Sequence, residues 1–179
     1  MFLNIITPCS RPQNLEIISN SINIPKDQYR WIVVFDLLEA PANIPDNCEW
    51  YAIKDGNSMS GNAQRNFALN LVTHGHIYFN DDDTIMHPDL WENIKDEDDE
   101  DFISFKQTNK DGSIRLEAVN ISVGTIDSHN FVTSVECVGD TRWVLNRYDA
   151  DGVFAYECYQ KAKNKSYINK VLSVYNTLK

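Results

Sequence analysis

The segment "HIYFNDDDTIMHP", residues 76–88, decides how the chain is read. A short apolar run passes directly into Asp81, Asp82 and Asp83. Adjacent carboxylates repel one another, so three of them at the end of a buried strand imply a positive partner. In an extended segment Asp81 and Asp83 point to one side and Asp82 to the other. Their Cα atoms then lie about 6.5–7 Å apart, so one carboxylate can hold a metal while the other reaches a neighbouring ligand group. Such hard oxygen donors suit Mn²⁺ or Mg²⁺, which keep positions open for phosphate oxygens. The plainer alternative is an exposed turn.

Upstream, "FLNIIT" (residues 2–7) is a β-prone apolar run. Ser10 and Gln13 have the spacing of a capping box, and Pro12 suits a first helical turn. Leu15, Ile18 and Ile22 then recur at helical spacing. "RWIVVFD" reads as a second buried strand ending at Asp36, and "EWYAIKD" as a third. "GNAQRNFALN" opens a helix whose apolar stripe is Ala63, Phe67, Ala68, Leu71 and Val72. This order predicts an α/β fold: a three-layer α/β/α sandwich around a mostly parallel, Rossmann-like nucleotide-binding sheet. Ligands of such sheets gather beyond the carboxyl ends of the strands. Pro8, Arg11, Asp36, Asp55 and the Asp81–Asp83 triplet all fall there.

Downstream, "HPDLWENIK" is a short helix, and "DEDDED" (residues 96–101) a solvated acidic turn. "DFISFKQT" and "SIRLEAVNISV" flank Asp111-Gly112, a good hairpin turn. A helix opens near Asp151, with Phe154, Ala155, Cys158 and Ala162 as its apolar stripe. The last 19 residues hold five lysines and no acids. They are expected to pack on the domain or lie in solvent, with peripheral contact to an anionic membrane as the alternative.

With 179 residues, 42% of them hydrophobic, the chain suits one domain with a sizeable core. A formal net charge of −10 argues against a nucleic-acid partner. Cys9, Cys48, Cys137 and Cys158 follow no CxxC spacing, which favours a reducing compartment. The opening residues lack the basic and long apolar regions of a leader, and no run is long enough to span a membrane. A cytoplasmic protein is expected. A phosphatase with a DxDx[TV] nucleophile motif is disfavoured, because aligning that motif on Thr84 puts Asn80 at the nucleophile.

"NIITPCSRPQNLEIISNSI", "WIVVFD", "GNAQRNFALN" and "IYFNDDDTIMHPDLW", in that order, resemble the nucleotide-sugar half of GT-A fold glycosyltransferases, family 2-like. The resemblance is good over residues 2–91 and looser through "GTIDSHNF" and "RWVLNRYDADGVF" to about residue 160. It implies a nucleotide-sugar half to about residue 91, an acceptor half over about 92–160, and a tail over 161–179. It also implies that Thr7, Pro8 and Arg11 line the nucleotide pocket and that Asp36 meets base or ribose. Asp55 and Asn57 would flank the base, and Arg65 would face the phosphates. The triplet would be the DxD motif, with Asp81 towards ribose or sugar, Asp82 beside it, and Asp83 (with Asp81) on Mn²⁺ or Mg²⁺. The donor would be a nucleoside-diphosphate sugar and the acceptor a glycan or a lipid-linked hydroxyl.

The chain is short for this family, and no "EDxxL"-like pair supplies the usual catalytic base. Asp151, Asp149 and Asp127 are the candidates, with Asp151 preferred and a helix N-cap as its alternative role. The helix N-terminus is expected to keep Asp151 ionised. His129 is a possible extra metal ligand or a structural residue, and Trp143 a core residue or a sugar platform. Inversion is favoured over retention. Two other functions stay open. A sugar nucleotidyltransferase would need a glycine-rich loop that "TPCSRPQN" lacks, and a non-catalytic nucleotide-sugar-binding module would fit the short acceptor half.

Overall fold

The computed structural model describes residues 1–36, 43–54 and 60–179. Strands β1 (Leu3–Cys9), β2 (Tyr29–Phe35), β3 (Glu49–Ala52) and β4 (His76–Phe79) form a parallel block in the order β3-β2-β1-β4. The sheet continues from β4 into β7 (Phe131–Ser134) and then β5 (Phe102–Thr108), both pairings antiparallel. The hairpin strand β6 (Ile114–Leu116) continues along the β7 edge of β5, and β8 (Lys165–Val174) runs parallel on the opposite edge. The expected parallel character is therefore concentrated in the first half.

Side-chain alternation along these strands builds the three layers. Leu3, Ile5, Trp31, Val33 and Tyr78 face α1 (Leu15–Ser21) and α3 (Leu90–Ile94), which bury Leu15, Ile18, Leu90, Trp91 and Ile94. The intervening residues Ile6, Ile32, Val34, Ile77 and Phe79 face α2 (Asn62–Leu69) and α5 (Ala150–Lys161). There they meet Ala68, Leu69, Phe154, Ala155 and Cys158. A short helix α4 (Val135–Val138) follows β7, capped by the Ser134 hydroxyl, which accepts from the Cys137 amide at 3.1 Å.

Three local expectations need correction. The capping box does not form: α1 follows a 3₁₀ turn at Pro12–Asn14 and has no side-chain cap, because Ser10 is bonded to Asp82 instead. Thr7 does not line the nucleotide pocket; it is fully buried and accepts from the Trp31 indole N–H at 2.9 Å. Strand parity puts it on the face of Ile5, towards α1. The acidic run at residues 96–101 is not wholly solvated in purpose either. Asp101 accepts from the amides of Lys163 and Asn164 at 2.8 and 3.1 Å and so fixes the start of β8.

The lysine-rich segment packs on the domain as β8 and a following turn, with Leu172 buried in the core. Among the described residues no helix is long and apolar enough to cross a membrane.

Candidate active site

The carboxyl ends of β1, β2 and β4 and the N-terminal turns of α2 and α5 open on a cleft of about 530 Å³. Pro8, Arg11 and Asp36 line it from the first two strands, Arg65 from α2, and the triplet from the end of β4. Asp127, Asp149 and Asp151 line it from the second half of the chain. Asp55 and Asn57 lie outside the described residues.

Glycine makes the first approach possible. Gly61 caps α2 with φ +80°, and a Cβ there would sit 2.6 Å from the Pro8 side chain. Helix α2 can therefore start against the β1 loop and present Arg65 to the cleft. The Arg65 guanidinium ion-pairs with Asp81, donates to the Ser60 carbonyl at 2.7 Å, and lies 4.4 Å over the Trp143 ring. Trp143 also stacks on Phe154 at 5.0 Å. Only 3% exposed, it is a core residue and not a sugar platform.

The triplet is not extended. The Thr84 amide donates to the Asp81 carbonyl at 3.1 Å, closing a turn that sends the three carboxylates to different partners. Asp82 accepts from the Ser10 and Arg11 amides at 2.6 and 2.7 Å, from the Ser10 hydroxyl at 3.1 Å, and from the Arg11 guanidinium. It is a buried strut tying the β1 loop to the β4 loop. Asp81 faces Arg65 and the Ser128 hydroxyl at 3.2 Å. Asp83 Oδ2 meets Lys179 Nζ at 2.7 Å and Arg11 at 3.1 Å. Burial raises the Asp83 pKa, but the Lys179 hydrogen bond and the charges of His129, Lys179 and Arg11 outweigh it and hold the group below its ordinary value.

His129 is buried between two carboxylates. Its Nε2 accepts from the Asp81 amide at 2.9 Å, and its Nδ1 lies 3.3 Å from Asp127 Oδ1. With Nε2 taken by that amide and the ring fully buried, the histidine has a structural role. Burial disfavours the charged ring, yet Asp81, Asp127 and Asp83 pull its pKa up. Nε2 also lies 3.4 Å from Asp81 Oδ2.

The three candidate bases separate clearly. Asp149 is the N-cap residue of α5, and both its oxygens are bonded to Arg147, at 2.8 and 2.6 Å. Asp127 is buried against Arg115 at 2.9 Å; burial would raise its pKa, but His129 and Arg115 overcome that and hold it well down. Asp151 lies in the first turn of α5, so it is not the N-cap, and among the described residues accepts only from its neighbour, the Gly152 amide, at 2.8 Å. Burial and then the charge of Asp127 push its pKa up to about 6. The helix terminus was expected to favour ionisation; desolvation wins.

Several lining groups have no local signature. Asn66 exchanges two hydrogen bonds of 2.8 Å with the Trp143 backbone, and Asn62 donates to the Val144 carbonyl at 2.9 Å. These amides hold the 143–147 loop over α2. The "AQRN" stretch could have suggested them, since Asn62 and Asn66 are one helical turn apart. Gln64 Oε1 and Trp143 Nε1 are buried beside the cleft with no hydrogen-bond partner among the described residues. Arg115 and Lys179 come from distant hairpin and C-terminal positions.

Among the described residues, no group of three or more His, Cys, Asp or Glu forms a ready metal cage. Asp81 and Asp83 nonetheless fit Mn²⁺ or Mg²⁺ in chemistry, since such ions take one or two carboxylates together with substrate phosphates and water.

No family model matches the sequence, and no curated protein matches it. Solved structures do match by shape. Residues 1–349 of S. aureus TarS superpose with a TM-score of 0.77 at 16% identity, over 97% of this chain and 60% of that one. The same protein in complex with UDP-GlcNAc gives 0.74 at 16% identity, over 97% and 58%. The mannosyltransferase PcManGT from Pyrobaculum calidifontis, in complex with GDP-Man and Mn²⁺, gives 0.69 at 11% identity, over 97% and 56%. The chain thus spans about 60% or less of the length of these structures. At such identities the likeness speaks for the fold alone, and that fold is the mixed α/β architecture of the GT-A glycosyltransferases.

Proposed function

We propose that the chain is a metal-dependent glycosyltransferase, a hexosyl- or related transferase, that moves a sugar from a nucleoside-diphosphate donor to an acceptor hydroxyl with inversion. The observation that carries this is the convergence of Asp81, Asp83, Arg11, Arg65 and the unpaired Asp151 on one cleft at the carboxyl ends of a parallel block. The donors seen in TarS and PcManGT support a nucleotide-sugar ligand at such a cleft.

In this reading Asp83 and Asp81 hold Mn²⁺ or Mg²⁺. When bound, that ion supplies Lewis-acid stabilisation of the charge gathering on the departing diphosphate. Arg65 and Arg11 add fixed positive charge, and Asp36 meets the nucleoside. Asp82 keeps the β1 loop in place. Asp151 accepts the proton of the acceptor hydroxyl as its oxygen bonds to the anomeric carbon. The bond from that carbon to the diphosphate breaks, and its electron pair leaves with the nucleoside diphosphate. A pKa of about 6 leaves Asp151 ionised at neutral pH and basic enough to take the proton. The acceptor is a glycan or lipid-linked hydroxyl.

The test is a thermal-shift panel of UDP- and GDP-sugars, each with Mn²⁺ or with EDTA. The expected result is stabilisation by at least one donor in Mn²⁺, diminished in EDTA, with slow release of nucleoside diphosphate. A chain that binds no nucleoside diphosphate under either condition refutes the reading.

A further inference from the structure

The chain beyond β8 returns to the acidic triplet. The Tyr175 amide donates to the Thr108 carbonyl at 2.8 Å, and its ring lies 3.9 Å from the Arg115 guanidinium. Asn176 takes a left-handed φ of 49°, which turns the backbone. Thr177 Oγ1 then accepts from the Ile85 amide at 2.8 Å, and the Leu178 amide donates to the Asp83 carbonyl at 2.8 Å. Leu178 packs on the core face of α1 and α3. The result places Lys179 Nζ 2.7 Å from Asp83 Oδ2.

A divalent ion and an ammonium compete for one carboxylate oxygen, because two like charges held a few ångströms apart repel in a partly buried site. Two cations now face Asp83 Oδ2, and they are held differently. Arg11 is anchored by Asp82, through its backbone amide and its guanidinium. The Lys179 side chain is 48% exposed, so it can swing away without losing a buried contact. A phosphate oxygen bridging to an ion on Asp83 would lie within reach of its four-carbon stem.

We infer that Lys179 is a movable counter-cation of the donor site: it holds Asp83 when the site is empty, yields that oxygen to the divalent ion, and then pairs with the diphosphate. The inference rests on the donor-site reading above. It makes Lys179 a competitor of the metal alone and a partner of the metal with nucleotide, so its removal acts with opposite signs on the two.

The experiment compares the wild type with Lys179→Met and Lys179→Gln, which keep length and remove charge, and with Lys179→Arg. Mn²⁺ alone is titrated by electron paramagnetic resonance of the free ion. UDP, GDP and inorganic pyrophosphate are titrated in saturating Mn²⁺ by calorimetry, and melting curves verify the fold. The neutral variants should bind Mn²⁺ alone about fivefold or more tighter and the diphosphates about fivefold or more weaker, within the ordinary range of site coupling. Lys179→Arg should stay near wild type in both. Unchanged affinities, or shifts of the same sign, overturn the inference while leaving the donor-site reading intact. A wild type that binds neither Mn²⁺ nor any diphosphate overturns both.

Discussion

Two sets of aspartates share the cleft and live in opposite surroundings. On the β4 side and at Asp127, every carboxylate is met by a cation: Asp81 by Arg65, Asp82 by Arg11, Asp83 by Lys179 and Arg11, and Asp127 by Arg115. On the α5 side Asp151 is half-buried and, among the described residues, accepts only from Gly152. The first set is paired with cations and suits fixed charge; Asp151 is desolvated and reluctant to ionise, which suits proton transfer. The same residue type is divided between two tasks by its neighbours alone.

The most severe break in this contrast is Asp83→Ala. Transfer should fall to background, a loss of about three orders of magnitude or more, as when a main electrostatic stabiliser of a transition state is removed. Relief of like-charge repulsion would suggest a slightly more stable mutant, but the pairing with Lys179 and Arg11 reverses that sign. A carboxylate with a lowered pKa contributes stability above its unfolded value, lost as pH falls through the folded one. The mutant should melt below wild type at neutral pH and keep its fold. Normal transfer by Asp83→Ala would reduce the triplet to a turn.

Asp151→Asn comes next. Transfer should drop by about 10²–10⁴-fold while donor affinity stays near wild type. In the wild type, the rate with saturating donor should fall on the acid side with a midpoint near pH 6, because only the ionised carboxylate accepts the proton. A rate flat from pH 5 to 8, or a near-normal mutant, would remove Asp151 from the base role.

The positions of both sets were partly legible. Apolar runs ending in Asp36 and in the triplet marked the strand ends, and strand alternation carried the layer assignment through. The same parity argument would have withdrawn Thr7 from the pocket, since it shares a face with Ile5. What local pattern could not show was partnership across the chain. Ser10 looked like a helix cap because its competitor, Asp82, is 72 residues away. His129 and Lys179 reach the site through the β5-β7 and β5-β8 pairings, which no window of sequence contains, and Arg115 through the β6 hairpin carried on the same strand. The desolvation that lifts Asp151 is likewise a property of the packed cleft.

Asp127→Asn tests the paired set in a place outside the β4 turn and its proposed metal ligands. It leaves Arg115 and His129 facing a neutral amide in a buried setting, and breaking such a pair costs about 3 kcal/mol. A denaturant melt should show this loss, with transfer per folded molecule changed far less than in Asp151→Asn. Unaltered stability with transfer abolished would instead move the base to Asp127.

The smallest effect is the most discriminating in sign. Asp151 has a folded pKa raised from 3.8 to about 6, so its contribution to stability is fully present below the unfolded value. It is lost as pH rises through 6, where the folded chain must carry a poorly solvated charge. At pH 7 that charge therefore costs stability, about 3 kcal/mol by the size of the shift. Asp151→Asn keeps an oxygen for the Gly152 amide and removes the charge from beside Asp127. The mutant should melt roughly 6–12 °C above wild type at pH 7. The difference should shrink as pH falls through 6 and vanish below about pH 3, where the wild-type group is protonated in both states. Thermal melts across about pH 3–8 measure it. A mutant less stable than wild type at pH 7 would mean that Asp151 has a cationic partner after all, and the division between the two sets of carboxylates would collapse.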